Sequence, residues 1–412
     1  MTDRPAAPAL PPFRASAPST DAAGPPTYDG ATDIDTDVLV VGAGPTGLTL
    51  AAALTARGVR ATVIDRQAEG ANTSRAAVVH ARTLEVLEPV GVTERLVARG
   101  LQAQRFTIRD RDRVLVPIDF TSLPTDYPYT LMVSQAVTEA VLAERLQELG
   151  GRVLRPLTLQ ALTQEDDGVT ATLDDGGHLR ARFVVGADGM HSAVRQAAGI
   201  DFAGAAYGES FVLADVRLEA NGAVPEREVI LFFSPAGMVV VAPLPDGQHR
   251  VVATVDEAPE QPDAAFVQAL LDARGPQAQP ARIDTLLWSS RFRVHHRIAA
   301  RYRAGCLLLA GDAAHVHSPA GGQGMNMGIL DALDLADALA RALAGDRAAL
   351  DSYGARRRPV AEQVVALADR LTRLATVSPG LRALRNLVLA TLARVPRFRS
   401  RLAWRLSGLV YR

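Results

Sequence analysis

The chain has 412 residues, is 48% hydrophobic and carries a net charge of −1. That describes a globular chain with room for two or three domains and a large core, with no cationic excess for nucleic acid and no apolar run of about 18 residues for a membrane span. All 44 basic residues are arginine, which excludes lysine chemistry, and a single cysteine excludes a disulfide framework.

Residues 1–35 are rich in Pro, Ala, Ser and Thr, which predicts a disordered tail; they contain no apolar core of a secretory signal, so a cytoplasmic, reducing location is expected. The stretch Thr36 to Arg66 then reads as strand, glycine turn, helix and second strand. Val38 to Val41 is a short apolar run suited to a strand buried on both faces. Gly42 permits a tight turn, Gly44 lets backbone approach a pyrophosphate, and Gly47 lets a helix pack closely on the strand. The helix expected over Thr46 to Arg57 directs its unpaired N–H groups at that turn. A second strand, Arg60 to Ile64, delivers Asp65, whose carboxylate can accept from a ribose 2′-OH and disfavours a 2′-phosphate. A dinucleotide, FAD or NAD, is therefore expected here.

Farther on, Arg75 and Arg82 flank a turn where they could pair with phosphate or cover a ring; solvated surface charge is the alternative. Residues 106–131 read as short strands broken by Pro117, Pro124 and Pro128. An amphipathic helix is expected from Gln135 to Leu149, then a hairpin about Asp174 to Gly177. In FVVGADGMHSAVR, Phe183 to Arg195, a buried strand runs into a turn at Asp188 and Gly189, and Ser192 can cap the next helix. In GCLLLAGDAAHVHSPAGGQGMNMG, Gly305 to Gly328, a buried strand delivers Asp312 at its carboxyl end, and the glycines after Pro319 allow backbone N–H groups close to a polar ring at a helix start. Cys306 reads as a core thiol. The pairs His295/His296 and His315/His317 have no carboxylate or cysteine at metal spacing, so no metal site is expected. Residues 370–412 hold ten arginines and no acid on helices with Leu381, Leu384, Leu387, Val388 and Leu392; a solvated face covering the core is expected there rather than membrane contact.

Together these three motifs resemble the class A flavoprotein monooxygenases of the para-hydroxybenzoate hydroxylase type, especially bacterial hydroxylases of aromatic polyketides and rifamycin-like substrates. The resemblance runs from about Asp37 to Gly345. It implies that Gly42, Gly44, Gly47 and Asp65 bind the ADP half of FAD with Arg66 beside the adenine. It further implies that Arg75 and Gln135 contact the cofactor, that Asp188 serves both FAD and a passing nicotinamide, that Asp312 bonds the ribityl chain, and that Pro319, Gly322, Gly324, Met325 and Asn326 surround the isoalloxazine. His80, Arg82 and Pro319 are the candidates to face the flavin. The implied reaction is hydroxylation of a bulky aromatic or polyketide-like small molecule, with O2 and NADPH or NADH, through a flavin C4a-hydroperoxide.

The implied fold is α/β: a GxGxxG Rossmann-like FAD domain (residues 36–101, 131–200 and 295–345) interleaved with a β-sheet substrate domain (102–130 and 201–294), plus a C-terminal helical segment, 346–412. Two features depart from the pattern. Val78 stands where the family often has glycine, and the chain stops after LSGLVYR, where larger members continue into a thioredoxin-like domain, so a monomer or homodimer without that domain is expected. A flavin-dependent reductase or dehydrogenase and a non-enzymatic redox sensor are the alternatives; a flavin-dependent halogenase would need a lysine that this chain lacks.

Overall fold

Five short apolar runs pair in parallel and fix the frame of the computed structural model, which describes residues 35–70, 76–319, 321–375 and 377–412. Strand Thr36–Val41 lies between His178–Gly186 and Ala61–Ile64, with Val41 opposite both Gly186 and Ile64. Val153–Leu154 extends the sheet beyond Ala61–Ile64, and Leu307–Leu309 extends it beyond His178–Gly186. Because all five run the same way, their carboxyl ends share one edge, where open α/β sheets bind ligands. Antiparallel strands Arg303–Ala304, Leu159–Gln164 and Val169–Leu173 complete this sheet.

Helix Pro45–Thr55 crosses from the first strand to the second and is buried from Gly47 through Leu54. Its sequence carries no charged residue on any side, as suits a helix enclosed by neighbours. Those neighbours are helices Gln135–Glu148 and Gly324–Leu343. The expected helix and hairpin over residues 135–183 are present, the hairpin pairing Thr172 with His178.

A second sheet of eight strands is mostly antiparallel. Its order is His315–Val316, Ile283–Ala299, Phe202–Leu218, Gln248–Val255, Gly237–Pro243, Glu228–Ser234, Arg105–Asp110 and Arg113–Asp119. Successive side chains point to opposite faces. Val212, Ala214 and Val216 join a core with Val239, Val241, Val251 and Leu271 of helix Ala264–Arg274. Phe211, Phe233 and Met238 meet Leu389, Ala393, Ala403 and Leu406 of the C-terminal helices on the other face. Three short strands, Val78–Val79, Thr130–Met132 and Leu101–Ala103, form a third sheet.

Strand Ile283–Ala299 corrects a boundary. The division expected between residues 294 and 295 falls inside it, and the strand pairs with Phe202–Leu218 from Ala299 opposite Phe202 to Ile283 opposite Leu218. Cys306 is half-buried and precedes the strand, rather than sitting in the core. Residues 1–34 of the expected disordered tail, 1–35, and Arg75 lie outside the described residues. Among those described, no helix is long and apolar enough to cross a membrane.

Candidate functional site

Each parallel strand ends by presenting a charged or glycine residue to the shared edge. Gly42 follows the first strand with φ +104°, a conformation that favours glycine, and a Cβ there would lie 2.4 Å from the Ala187 carbonyl oxygen. The glycine turn and the Asp188 turn therefore touch. Asp65 accepts from the Ala43 N–H at 2.6 Å through one oxygen and from the Gln67 N–H at 2.8 Å through the other, which aims its carboxylate at the glycine turn. Arg66 is exposed beside it.

The loop after Leu307–Leu309 joins the same cluster. Gly311 and Gly328 both face Thr46, with Cβ positions only 2.6 and 2.2 Å from the Thr46 hydroxyl, so the Asp312 turn and helix Gly324–Leu343 close against the start of helix Pro45–Thr55. Asp312 is exposed at that edge. Asp188 accepts from the N–H groups of Ala193 (2.7 Å) and Val194 (3.3 Å), while its other oxygen, Oδ1, is buried without a hydrogen-bond partner. Burial raises this carboxyl above the usual carboxylate range, although Ser192 and backbone N–H groups favour its charged form. Arg195 ties the two turns together by donating to the Ala313 and Met190 carbonyls at 2.9 and 2.7 Å.

Asn326, His80 and Val78 join the glycine loop to the third sheet. Asn326 donates to the Val78 carbonyl at 2.9 Å and the Gly322 carbonyl at 2.8 Å, and its oxygen accepts from the His80 N–H at 2.8 Å. Both amide hydrogens are thus committed, which leaves the main chain of Asn326 to meet a ligand. Val78 packs on Gly322, whose Cβ would sit 3.1–3.3 Å from the valine side chain. Gln135 accepts from the Ala76 N–H and donates to Glu139. Arg82 donates to Glu85 at 3.0 Å, and Pro319 is exposed and turns the loop by accepting from the Gly322 N–H.

His80 is buried, and its Nε2 donates to the Gly321 carbonyl at 3.0 Å, which leaves Nδ1 as a buried acceptor with no partner. Burial lowers its pKa to about 4, so the ring is neutral near pH 7. Such a histidine contributes fully to stability above about 6.5, and the contribution is lost as pH falls from there toward 4. Denaturation of the cofactor-free protein at pH 7 and pH 5 should therefore show a loss that His80→Asn reduces by roughly 2 kcal/mol; equal losses in both proteins would contradict this placement.

Two residues escaped the sequence reading. Arg155 follows strand Val153–Leu154 and reaches the Ala43 carbonyl at 3.4 Å, in contact with the glycine turn. Its position just after a parallel strand, like that of Asp65, was the available signal. Asp331 was hidden in an apolar helix. It is fully buried, with His315 Nε2 at 2.5 Å and Arg357 Nε at 2.7 Å, and it accepts from the Gly311 N–H at 3.3 Å. His315 therefore does have carboxylate company, supplied by the fold from 16 residues away.

The site can be tested for a dinucleotide. Neither helix Pro45–Thr55 nor helix Gly324–Leu343 has a side-chain cap or an acid in its first turn, whereas Ser134, Ser192 and Asp263 cap other helices. Both starts are thus open to an anion or a polar ring edge. Cβ positions on Gly44 and Gly324 meet no protein atom within 4 Å, and Asp188 and His80 each offer a buried, unpartnered acceptor. These features fit a cofactor with a pyrophosphate and a polar ring.

The family described as FAD binding domain matches residues 35–368. The chain belongs to this family. Among curated relatives of this FAD-binding chain is a 6-methylpretetramide 4-monooxygenase of Streptomyces rimosus, 40% identical over 88% of this chain and 64% of the relative. A rifampicin monooxygenase of Streptomyces venezuelae is 36% identical over 85% of this chain and 74% of the relative. The chain thus spans about two thirds to three quarters of the length of these relatives. Among solved structures, p-nitrophenol 4-monooxygenase PnpA from Pseudomonas putida superposes with a TM-score of 0.81 at 28% identity, covering 91% of this chain and 98% of that one. The anhydrotetracycline hydroxylase OxyS from Streptomyces rimosus gives 0.76 at 35% identity, over 91% and 76%.

Proposed function

We propose that the chain is an FAD-dependent monooxygenase that takes electrons from NADPH or NADH and uses O2 to hydroxylate a bulky aromatic or polyketide-like small molecule. The observation that carries this reading is the meeting of the Gly42, Asp188 and Asp312 turns with the Gly322–Asn326 loop at one edge of the parallel sheet. The names of the relatives, a 6-methylpretetramide and a p-nitrophenol monooxygenase, support the substrate class.

In this reading Gly44, Gly47 and the start of helix Pro45–Thr55 hold the pyrophosphate, Asp65 the ribose and Asp312 the ribityl chain. Pro319, Gly322, Gly324, Met325 and Asn326 surround the ring, and Gln135, Arg66 and Asp188 stand at its margins. Bound FAD supplies the redox chemistry: two electrons from the nicotinamide reduce O2, one oxygen atom enters the substrate, and the other leaves as water. The helix start at Gly324 favours negative charge at the ring edge. His80, neutral and with Nδ1 as a free acceptor, can take a hydrogen bond from a ligand N–H or O–H. Val229, Ala242 and Leu244 of the second sheet pack with Ala77 and Val78 next to His80, and this apolar cluster limits water there.

The purified chain should oxidise NADPH or NADH faster when a polycyclic phenol is added, and 18O2 should appear as one labelled oxygen in the product. Flavin reduction that proceeds with each of a panel of such phenols, yet leaves every one unlabelled, would instead assign a reductase or dehydrogenase.

A further inference from the structure

Helix Arg382–Leu392 buries two polar side chains, Arg385 and Asn386, beside Leu389 on its inward side. Arg385 is buried and donates to the carbonyls of Phe233 and Leu374, both at 3.1 Å, with its guanidinium 4.3 Å from the centre of the Phe233 ring. Asn386 is buried beside it, donating to Asp110 at 2.8 Å and to the Phe233 carbonyl at 3.1 Å. These bonds, with Leu389, pin that side to the second sheet and leave a second, apolar face toward solvent. Leu381, Leu384, Leu387, Val388, Leu392 and Val395 are 42–60% exposed, and among the described residues only Val114, Leu287 and Val410 are other large apolar side chains so exposed. Surface helices ordinarily have the opposite orientation, and scattered exposure does not place six such residues on one 15-residue stretch. The leucines expected from sequence to cover the core therefore do not cover it.

The border of this stripe is cationic. Arg394 interrupts it, and Arg397, Arg401 and Arg405 recur every fourth residue on one exposed face of the next helix, Pro396–Leu406. Both helices pack on strand Arg113–Asp119 and are joined through the exposed Arg394 and Val395, and residues 370–412 contribute no acid of their own.

We propose that this surface docks on a lipid bilayer carrying anionic headgroups, with helix Arg382–Leu392 lying in the plane of the interface. Its leucines would enter the acyl boundary while Arg394, Arg397, Arg401 and Arg405 pair with headgroup phosphates. At about 16 Å the helix is too short to span a bilayer and suited to lying on one. Charge decides against a second copy of the chain as the occupant, because a self-association through this face brings two arginine borders together. The inference is independent of the monooxygenase reading, since the surface binds lipid whether or not the flavin turns over.

The test is flotation of the full chain with vesicles of phosphatidylcholine and phosphatidylglycerol in about equal parts, against phosphatidylcholine alone. The wild type should float with the anionic vesicles and be released by salt. Leu384→Asp with Leu387→Asp should weaken binding by about thirtyfold or more, and Arg397→Glu with Arg401→Glu by about tenfold or more. Leu384→Gln with Leu387→Gln provides a milder pair, and all variants should keep the far-UV circular dichroism of the wild type because the altered side chains are exposed. Absence of flotation, or flotation unimpaired by both leucine pairs, overturns the proposal. So does a wild-type dimer in light scattering that the leucine variants convert to monomer, which would assign the stripe to a second copy.

Discussion

Replacing Asp331 by alanine should destabilise the cofactor-free protein by about 3–5 kcal/mol, among the largest effects of any single substitution. The carboxylate has no exposed surface, and both its partners, His315 and Arg357, are buried. Burial alone would raise the Asp331 carboxyl, but His315 and Arg357 outweigh it and hold the group below the usual carboxylate range. Arg357 is held above its ordinary range because Asp331 likewise outweighs its burial. Removing the carboxylate leaves an uncompensated guanidinium inside the protein and frees the Gly311 N–H that positions the Asp312 turn. The surface pair Arg341 and Asp346 is the control, and Asp346→Ala should cost no more than about 1 kcal/mol. Urea denaturation of the three proteins decides the matter, and equal midpoints for Asp331→Ala and Asp346→Ala would contradict the burial argument.

The second large effect separates fold from cofactor. A Cβ on Gly47 would sit 1.9 Å from the Gly42 carbonyl oxygen, so Gly47→Ala must open the turn and should lose both FAD affinity and about 1–3 kcal/mol of stability. Gly44 differs: its φ is −76°, its ψ is −176°, and no protein atom lies within 4 Å of a Cβ there. Alanine is compatible with this backbone, so Gly44→Ala should fold with the wild-type denaturation midpoint. In the proposed placement it is the pyrophosphate that excludes a methyl group, and FAD affinity should fall about thirtyfold or more. Fluorescence titration with FAD alongside denaturation of each cofactor-free variant gives both readings. An unchanged FAD affinity in Gly44→Ala would move the pyrophosphate away from this turn.

The glycine turn and the strand ends at Asp65, Asp188 and Asp312 were legible in the sequence because their determinants are local. A buried strand, a turn residue and a helix start fall within a dozen positions of one another, and periodicity and turn chemistry report directly on such units. Strand Ile283–Ala299 was not legible. Its Ser289, Ser290, Arg291, Arg293, His295, His296 and Arg297 give neither an apolar run nor a clean alternation, and pairing with Phe202–Leu218 decides its conformation. Asp331 was missed for a similar reason: its partners lie 16 and 26 residues away, and burial of a charge is visible only once they are brought to it. Helix Arg382–Leu392 presents a clear apolar period, but periodicity cannot say which face turns inward. Hydrogen bonds from Arg385 and Asn386 to the second sheet made that choice.

The central claim is that three turns at one edge of the parallel sheet, together with two open helix starts, hold a single FAD. A crystal structure of the chain with FAD bound tests it most directly. The account predicts the pyrophosphate against the N–H groups of Thr46 and Gly47, the ribose at Asp65, and the flavin ring edge against the helix start from Gly324 to Asn326. FAD bound at another face of the chain, or lying across this edge with its ring at the Gly44 turn, would contradict it.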